Sequence, residues 1–351
     1  MKIIAPLLLC LTLAKVARPA EFAFGADLSF LKQAEERGKV FRDGTNALPG
    51  LQIFKNHGYN WVRLRIFVEP VSNNLPNDLA YTLAEAQAAK KLGYKFLLDF
   101  HYANSWADPG KQPTPEAWRN LSHDERVEKV FEHTRDTIAA FREGGALPDM
   151  VQVGNEITVG MLWPDGKLPE HWDNFADYIR AGVKGVDAGR GTNASPKILI
   201  HTDTGGNIAK TKWFFDKFNE YKISYDVIGL SYYPRWHGSL MDLRENLAFV
   251  ASEYHQDSMV VETGYNWRPT RQSPDRVWPF PETPDGQRDF LDELTRIVLQ
   301  TPEQRCKGIF WWEPATGGGD ARGFFDESGN SLPVLNVFDQ YTRPAPRTNS
   351  R

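Results

Sequence analysis

Cysteine is almost missing from this chain: Cys10 and Cys306 are the only two in 351 residues. Cys10 lies in an N-terminal apolar stretch, so removal of that stretch leaves one thiol, excludes an internal disulfide and leaves a packed core as the source of stability. Long hydrophobic runs are also scarce. After the first 20 residues none reaches the ~18 apolar residues of a membrane helix, and no membrane span is expected. Net charge is small as well: 41 Lys plus Arg against 45 Asp plus Glu leave −4, too little field to hold nucleic acid or an anionic membrane. Short repeats and low-complexity tracts are absent, and no phosphate-binding glycine fingerprint follows an early strand. What the chain has is apolar mass, 41% hydrophobic and 13% aromatic, spread along its length as in a folded globular protein.

The first 20 residues, MKIIAPLLLCLTLAKVARPA, set Lys2 ahead of an apolar core running from Ile3 to Ala14. That layout predicts a secretory leader over residues 1–20 and an exported protein, secreted or periplasmic. Bulky Leu9 directly before Cys10 argues against a lipoprotein anchor. Residues 343–351, rich in Pro, Arg and Ser, are expected to form a disordered tail. A single domain is expected over 21–342.

Within that span the pattern alternates. Eight short β-branched or aromatic runs (22–29, 60–67, 94–101, 149–156, 197–204, 226–233, 259–263 and 308–314) are separated by charge-rich stretches. Stretches such as LAYTLAEAQAAKKLG and DGQRDFLDELTRIVLQ carry apolar residues three and four apart, the helix period. Strand and helix repeated eight times predict an α/β fold, a (β/α)8 TIM barrel, whose active site lies at the C-terminal ends of the strands. The polar residues collect at those ends: Asp27, Arg65, Asp99 with His101, Asn155 with Glu156, His201 with Asp203, Tyr232 with Tyr233, Glu262 and Glu313.

One glutamate at a strand end is ordinary equipment for a barrel. Two, Glu156 closing the fourth run and Glu262 closing the seventh, converge across the mouth. Paired carboxylates are what glycosidic bond cleavage needs: one held protonated to donate to the leaving oxygen, the other ionised to attack the anomeric carbon or activate water. Burial among aromatics raises the first, and a cation such as Arg63 or Arg65, on one face of the second strand, keeps the second charged. Of the 11 Trp residues, Trp106, Trp118, Trp163, Trp172, Trp236, Trp267, Trp311 and Trp312 follow strands rather than sit within helices. Indole faces stack on the C–H faces of sugars, so a polysaccharide cleft is expected. Trp61 and Trp213 read as core, and alternation lets only one of Trp311 and Trp312 face the cleft.

Other signals are weaker. His101 with Asp99 and His201 with Asp203 lack the tight spacing of a zinc motif. GLSYY lacks the second glycine of a serine nucleophile elbow, and TGGGD lacks the Lys-Ser/Thr of a phosphate loop.

The segments GADLS (25–29), DFHYANSWADPGKQ (99–112), QVGNEITVGMLWPDG (152–166), GLSYYPRWHG (229–238), VVETGYNW (260–267) and GIFWWEPA (308–315) resemble glycoside hydrolase family 53, the endo-β-1,4-galactanases of the clan A barrels. The resemblance implies hydrolysis of β-1,4-galactan side chains of pectin with retention, Glu156 as acid/base and Glu262 as nucleophile. It implies that Asn155 bonds the sugar 2-hydroxyl and that Arg63 stands beside the nucleophile. Substrate-lining residues carried over are Asp27, Asp99, His101, Trp106, Trp163, Asp203, Tyr232 and Trp312. No cofactor and no partner beyond the polysaccharide are implied, and a monomer is expected. Some bacterial members bind calcium between the last two long loops; Asp275, Asp285 and Asp320 lie near that place here, without a clear run of ligands. Two alternatives stand beside the galactanase reading: another retaining clan A endo-glycanase, acting on mannan or xylan, and a non-catalytic carbohydrate-binding barrel.

Overall fold

A computed structural model describes residues 22–72, 74–270, 278–317 and 320–342. The expected leader and tail therefore lie outside the described residues, as does Asp275. Strands β1 (Ala23–Asp27), β2 (Trp61–Ile66), β3 (Lys95–Phe100), β4 (Met150–Val153), β5 (Lys197–Thr202), β6 (Val227–Tyr232), β7 (Asp257–Thr263) and β8 (Cys306–Trp311) match the eight runs in the sequence. All neighbouring pairs are parallel, and β1 pairs with both β2 and β8, which closes the barrel. Each strand is followed by a helix: α1 (Gly50–Asn56), α2 (Leu79–Lys91), α3 (His123–Glu143), α4 (Trp172–Gly189), α5 (Ile208–Glu220), α6 (Leu240–Glu253), α7 (Pro284–Leu299) and the short α8 (Asp339–Thr342). The protein is a (β/α)8 barrel.

Local chemistry explains where the helices start. Ser122 accepts from the Glu125 amide while the Glu125 carboxylate accepts from the Ser122 amide, a reciprocal cap that begins α3 and is worth ~1 kcal/mol. Ser239 and Asp242 repeat it at α6, and Thr283 followed by Pro284 opens α7.

The two-residue strand period divides the barrel interior into layers. Ala23, Trp61, Leu97, Met150, Leu199, Val227, Met259, Val261 and Phe310 form one apolar cluster that plugs the lower barrel. The ring of Phe310 packs over Gly25, where a Cβ would lie 2.3 Å from it, which explains a glycine at the head of GADLS. Two residues further along the same strand faces come Arg63, Asp99, Gln152 and His201, and four residues further Asp27, Arg65 and Ser231, all buried. The opposite strand faces pack against the helices in a much larger apolar cluster.

Several tryptophans differ from their expected places. Trp213 is 43% exposed, because its position on α5 faces away from the sheet. Trp118 is buried in a 3-10 turn, and Trp172 begins α4 packed on Phe175 and Phe214, so neither borders a cleft. Trp61 is core as expected. Trp311 is fully buried, leaving Trp312 as the member of its pair that faces inward.

Candidate active site

Strand register sets the polar floor. Asp27 pairs with Arg63 across β1 and β2, Arg65 with Asp99 across β2 and β3, and Asp99 with Gln152 across β3 and β4. Arg63 is the hub: Nη1 donates to Asp27 Oδ2 at 2.7 Å and faces Glu262 Oε2 at 3.3 Å, while Nη2 donates to Asp99 Oδ2 and Asn155 Oδ1, each at 2.9 Å. Burial works against its charge, but Asp99, Asp27 and Glu262 outweigh it, so Arg63 stays a cation. The same contacts hold Asp99 well below the usual carboxylate range despite its burial. Arg65 donates through Nη2 to Asp27 at 3.0 Å and to Glu313, and its guanidinium lies 4.6 Å from the Trp106 ring.

Glu262 reaches the interior through an irregularity. Between Leu230 and Ser231 the β6–β7 register slips by one residue, from Leu230 opposite Val260 to Ser231 opposite Glu262. Val261 already points inward in the apolar layer, so strict alternation would send Glu262 outward; the slip returns it to the mouth. There Tyr233 donates its hydroxyl to Glu262 Oε1 at 2.9 Å. Burial pushes the Glu262 carboxyl up, and Arg63 and Tyr233 hold it back.

Glu156 follows β4 in the left-handed region, φ 47° and ψ 52°, a conformation costly for a residue with a side chain. Burial drives its carboxyl well above the ordinary value, the Glu262 charge adds to that, and Ser231 opposes it. The supply of that hydroxyl can be traced. His201, kept neutral by burial and by Arg63, accepts at Nδ1 from the Glu156 amide and the Gln152 side chain. Its Nε2–H then donates to Ser231 Oγ at 2.9 Å, leaving the serine proton for Glu156. The two glutamates thus have unequal surroundings, one beside a guanidinium and the other beside a neutral histidine and a serine.

Of the residues singled out from sequence, Arg63, His101, Trp106, Asn155, Glu156, Glu262 and Trp312 line one cavity of about 350 Å³. His101 accepts from the Ala107 amide at Nδ1 and faces Asp99 through Nε2 at 3.1 Å. Asp27 and Asp99 lie beneath, fully buried, and act on the cavity through Arg63. Asp203 sits to one side, with Lys210 3.4 Å from Oδ2. Trp163 stands apart from the cavity, its indole donating to Val159 O beneath the Lys167 ammonium. Tyr232 is a correction: it is fully buried on the outer face of β6, its ring stacked on Phe290 and its hydroxyl donating to Gly238 O. The tyrosine that faces the carboxylates is its neighbour Tyr233.

Sequence reasoning also missed Gln152, Ser231 and Gln112. The first two were legible from alternation along β4 and β6. Gln112, whose amide donates to Asn155 O at 2.9 Å and Glu156 O at 3.3 Å, comes from a loop and carries no periodic signal. A second hollow of about 420 Å³ adjoins the first beyond Tyr233, bordered by Trp236, Tyr265 and Arg322.

Among the described residues no group of three or more His, Cys, Asp and Glu side chains is arranged to hold a metal ion. Asp285 and Asp320 pair instead with Arg288 and Arg322. No helix among them is long and apolar enough to cross a membrane. Cys306 is a buried free thiol.

Residues 23–346 match the model of Glycosyl hydrolase family 53. An uncharacterised protein from the bgaB 5′ region of Niallia circulans is 39% identical over 313 residues, 84% of each chain. The arabinogalactan endo-β-1,4-galactanase of Cellvibrio japonicus is 34% identical over 317 residues, covering 86% of this chain and 82% of its own. Among solved structures, the Ignisphaera aggregans GH53 catalytic domain superposes with a TM-score of 0.83 at 32% identity, over 92% of this chain and 97% of that one.

Proposed function

The chain belongs to glycosyl hydrolase family 53, and from that premise we propose how it works as an endo-β-1,4-galactanase: by double displacement, with Glu262 as nucleophile and Glu156 as acid/base. The observation that supports this division is the unequal surroundings of the two carboxyls. Glu262 faces Arg63 at 3.3 Å and accepts from Tyr233, so it is the one kept ionised. Glu156 has no cation at comparable distance among the described residues and is buried beside another carboxylate, so the proton of the pair resides there.

In the first step a Glu262 oxygen bonds to the anomeric carbon as the C1–O bond breaks. The Glu156 proton passes to the departing oxygen, which leaves as the hydroxyl of the shortened chain. In the second step Glu156, now a carboxylate, takes a proton from water. The hydroxyl oxygen bonds to C1 and releases Glu262, so configuration is retained. Asn155 accepts from Arg63 and donates one amide proton to Ala107 O at 2.8 Å, leaving the other for the sugar 2-hydroxyl. Trp106 and Trp312, 6.2 Å apart, offer the apolar faces on which galactosyl rings stack. No cofactor enters these steps. The protein acts after export, its leader removed, as a monomer on β-1,4-galactan side chains of pectin.

The test is reducing-sugar release from debranched β-1,4-galactan, with mannan, xylan and cellulose alongside and Glu262→Ala as the blank. Release from galactan, lost in the variant, is the expected result. Release from xylan or mannan instead would overturn the substrate, and binding of galactan without release would make the chain a carbohydrate-binding barrel.

A further inference from the structure

Arg322 lies beyond β8 and stands over the Trp312 indole, its guanidinium carbon 4.3 Å from the ring centroid. Its own orientation is tied down at several points. Nε and Nη2 reach the two Asp320 carboxylate oxygens at 3.2 Å each, and its backbone amide donates to the same aspartate at 2.9 Å. Its carbonyl accepts from Trp311 Nε1 at 2.9 Å and from the Gln287 side chain at 3.1 Å. The residue just before Trp312 and a residue of α7 thus both anchor the backbone that carries the guanidinium. The stem of Arg322 runs past Gly264, directly beside Tyr233. A Cβ on Gly264 would lie 3.1 Å from Arg322 Cδ and 3.2 Å from Tyr233 Cε1, so a residue without a side chain is what lets both approach the end of β7.

We infer that Arg322 is a positioning residue of the hydrolytic site, holding the Trp312 indole in its cleft-facing orientation while it packs beside the tyrosine that bonds Glu262. The Arg322 guanidinium lies nearer the Trp312 ring than that of Arg65, which is 6.0 Å from it, and Asp320 keeps it from swinging away, so it holds the indole while apolar ring surface stays available to a sugar. Without that contact Trp312 gains rotamers, and each galactosyl unit that stacks on it must first select the productive one. The inference rests on the reading of Glu262 as nucleophile and of Trp312 as a stacking surface.

Charge gives the second readout. Glu262 is faced by Asp27 from β1, Arg63 from β2, Asp99 from β3, Glu156 after β4, Tyr233 after β6 and Arg322 after β8. Arg322 is one of two cations in that set, and its removal leaves Glu262 harder to ionise.

Arg322→Ala, Arg322→Lys, Asp320→Asn and the Glu262→Ala blank are compared on β-1,4-galactan across pH. Arg322→Ala is expected to raise KM by about tenfold, with a smaller loss in kcat, and to move the acid limb of kcat/KM to higher pH. Arg322→Lys, which keeps the charge without the flat face, is expected to restore the acid limb and not KM. Asp320→Asn is expected to raise KM by a smaller factor and decides the matter if Arg322→Ala fails to fold. Wild-type KM in both Arg322→Ala and Asp320→Asn, or full rescue of KM by lysine, would overturn the inference. Activity in Glu262→Ala would overturn the nucleophile assignment instead, a failure distinguishable from the first.

Discussion

The hydroxyl of Tyr233 donates to Oε1 of Glu262 across 2.9 Å, linking the residue after β6 to the carboxyl that the β6–β7 register slip turns into the mouth. Arg63 approaches the other oxygen of the same carboxylate. Together they form an environment that opposes the burial pushing this carboxyl up, and so favours its ionised form.

Tyr233→Phe tests that environment. Its hydroxyl lowers the pKa of Glu262, so its loss raises it and the acid limb of kcat/KM moves to higher pH. A hydrogen bond to a charged group is worth ~1.5–3 kcal/mol, so kcat/KM falls about ten- to hundredfold at the optimum. A pH–rate profile beside the wild type checks both.

Ser231→Ala acts on the opposite limb. The serine hydroxyl stabilises the ionised form of Glu156, so removing it raises that pKa further. With Glu156 as the proposed acid, the alkaline limb, where it loses its proton, then extends to higher pH. A profile in which Ser231→Ala moves the acid limb instead would show that the two carboxyl roles are exchanged.

Glu313 links charge to stability. Burial pushes its carboxyl up to about 8, against the opposing pull of Arg65. An acid raised on folding keeps its proton in the native state after the unfolded chain has released it near ~4.3. Its stabilising contribution is therefore full below that value and is lost as pH rises toward 8, by about 1.4 kcal/mol per pH unit. Glu313→Gln has no such proton to lose. Denaturant unfolding at intervals from pH 5 to 8 should show a shallower decline in the variant, by about one proton's slope. Equal slopes would mean that Glu313 is already ionised in the folded protein.

Much of this was legible in the chain. The eight runs and their polar ends, with a glutamate closing the fourth and the seventh, followed from periodicity, because a strand that faces a packed barrel on one side and helices on the other writes both faces into its sequence; which way those glutamates point did not. Alternation along β6, from Val227 through Gly229 and Ser231, points to Tyr233; choosing Tyr232 followed the motif instead of the period. Glu262 shows the limit in the other direction. Counting by twos from Val261 places it outside, and only the register slip brings it in, an effect of packing between strands that no single strand encodes. Gln112 lay beyond reach for a related reason: a loop residue supporting Asn155 and Glu156 through their carbonyls is placed by the tertiary fold alone. Trp213 read as core because indoles usually bury, but its helix turns that face to solvent.

The account turns on a covalent bond to Glu262, and the direct measurement is its capture. A 2-fluoro-galactobiosyl donor with a good leaving group slows the second step more than the first, so the glycosyl-enzyme accumulates for peptide mass spectrometry. The account predicts one added galactobiosyl mass on the peptide carrying Glu262, absent in Glu262→Ala and hydrolysed slowly once free donor is removed. A label on the peptide carrying Glu156, or turnover of the donor with inversion and no label at all, would contradict it.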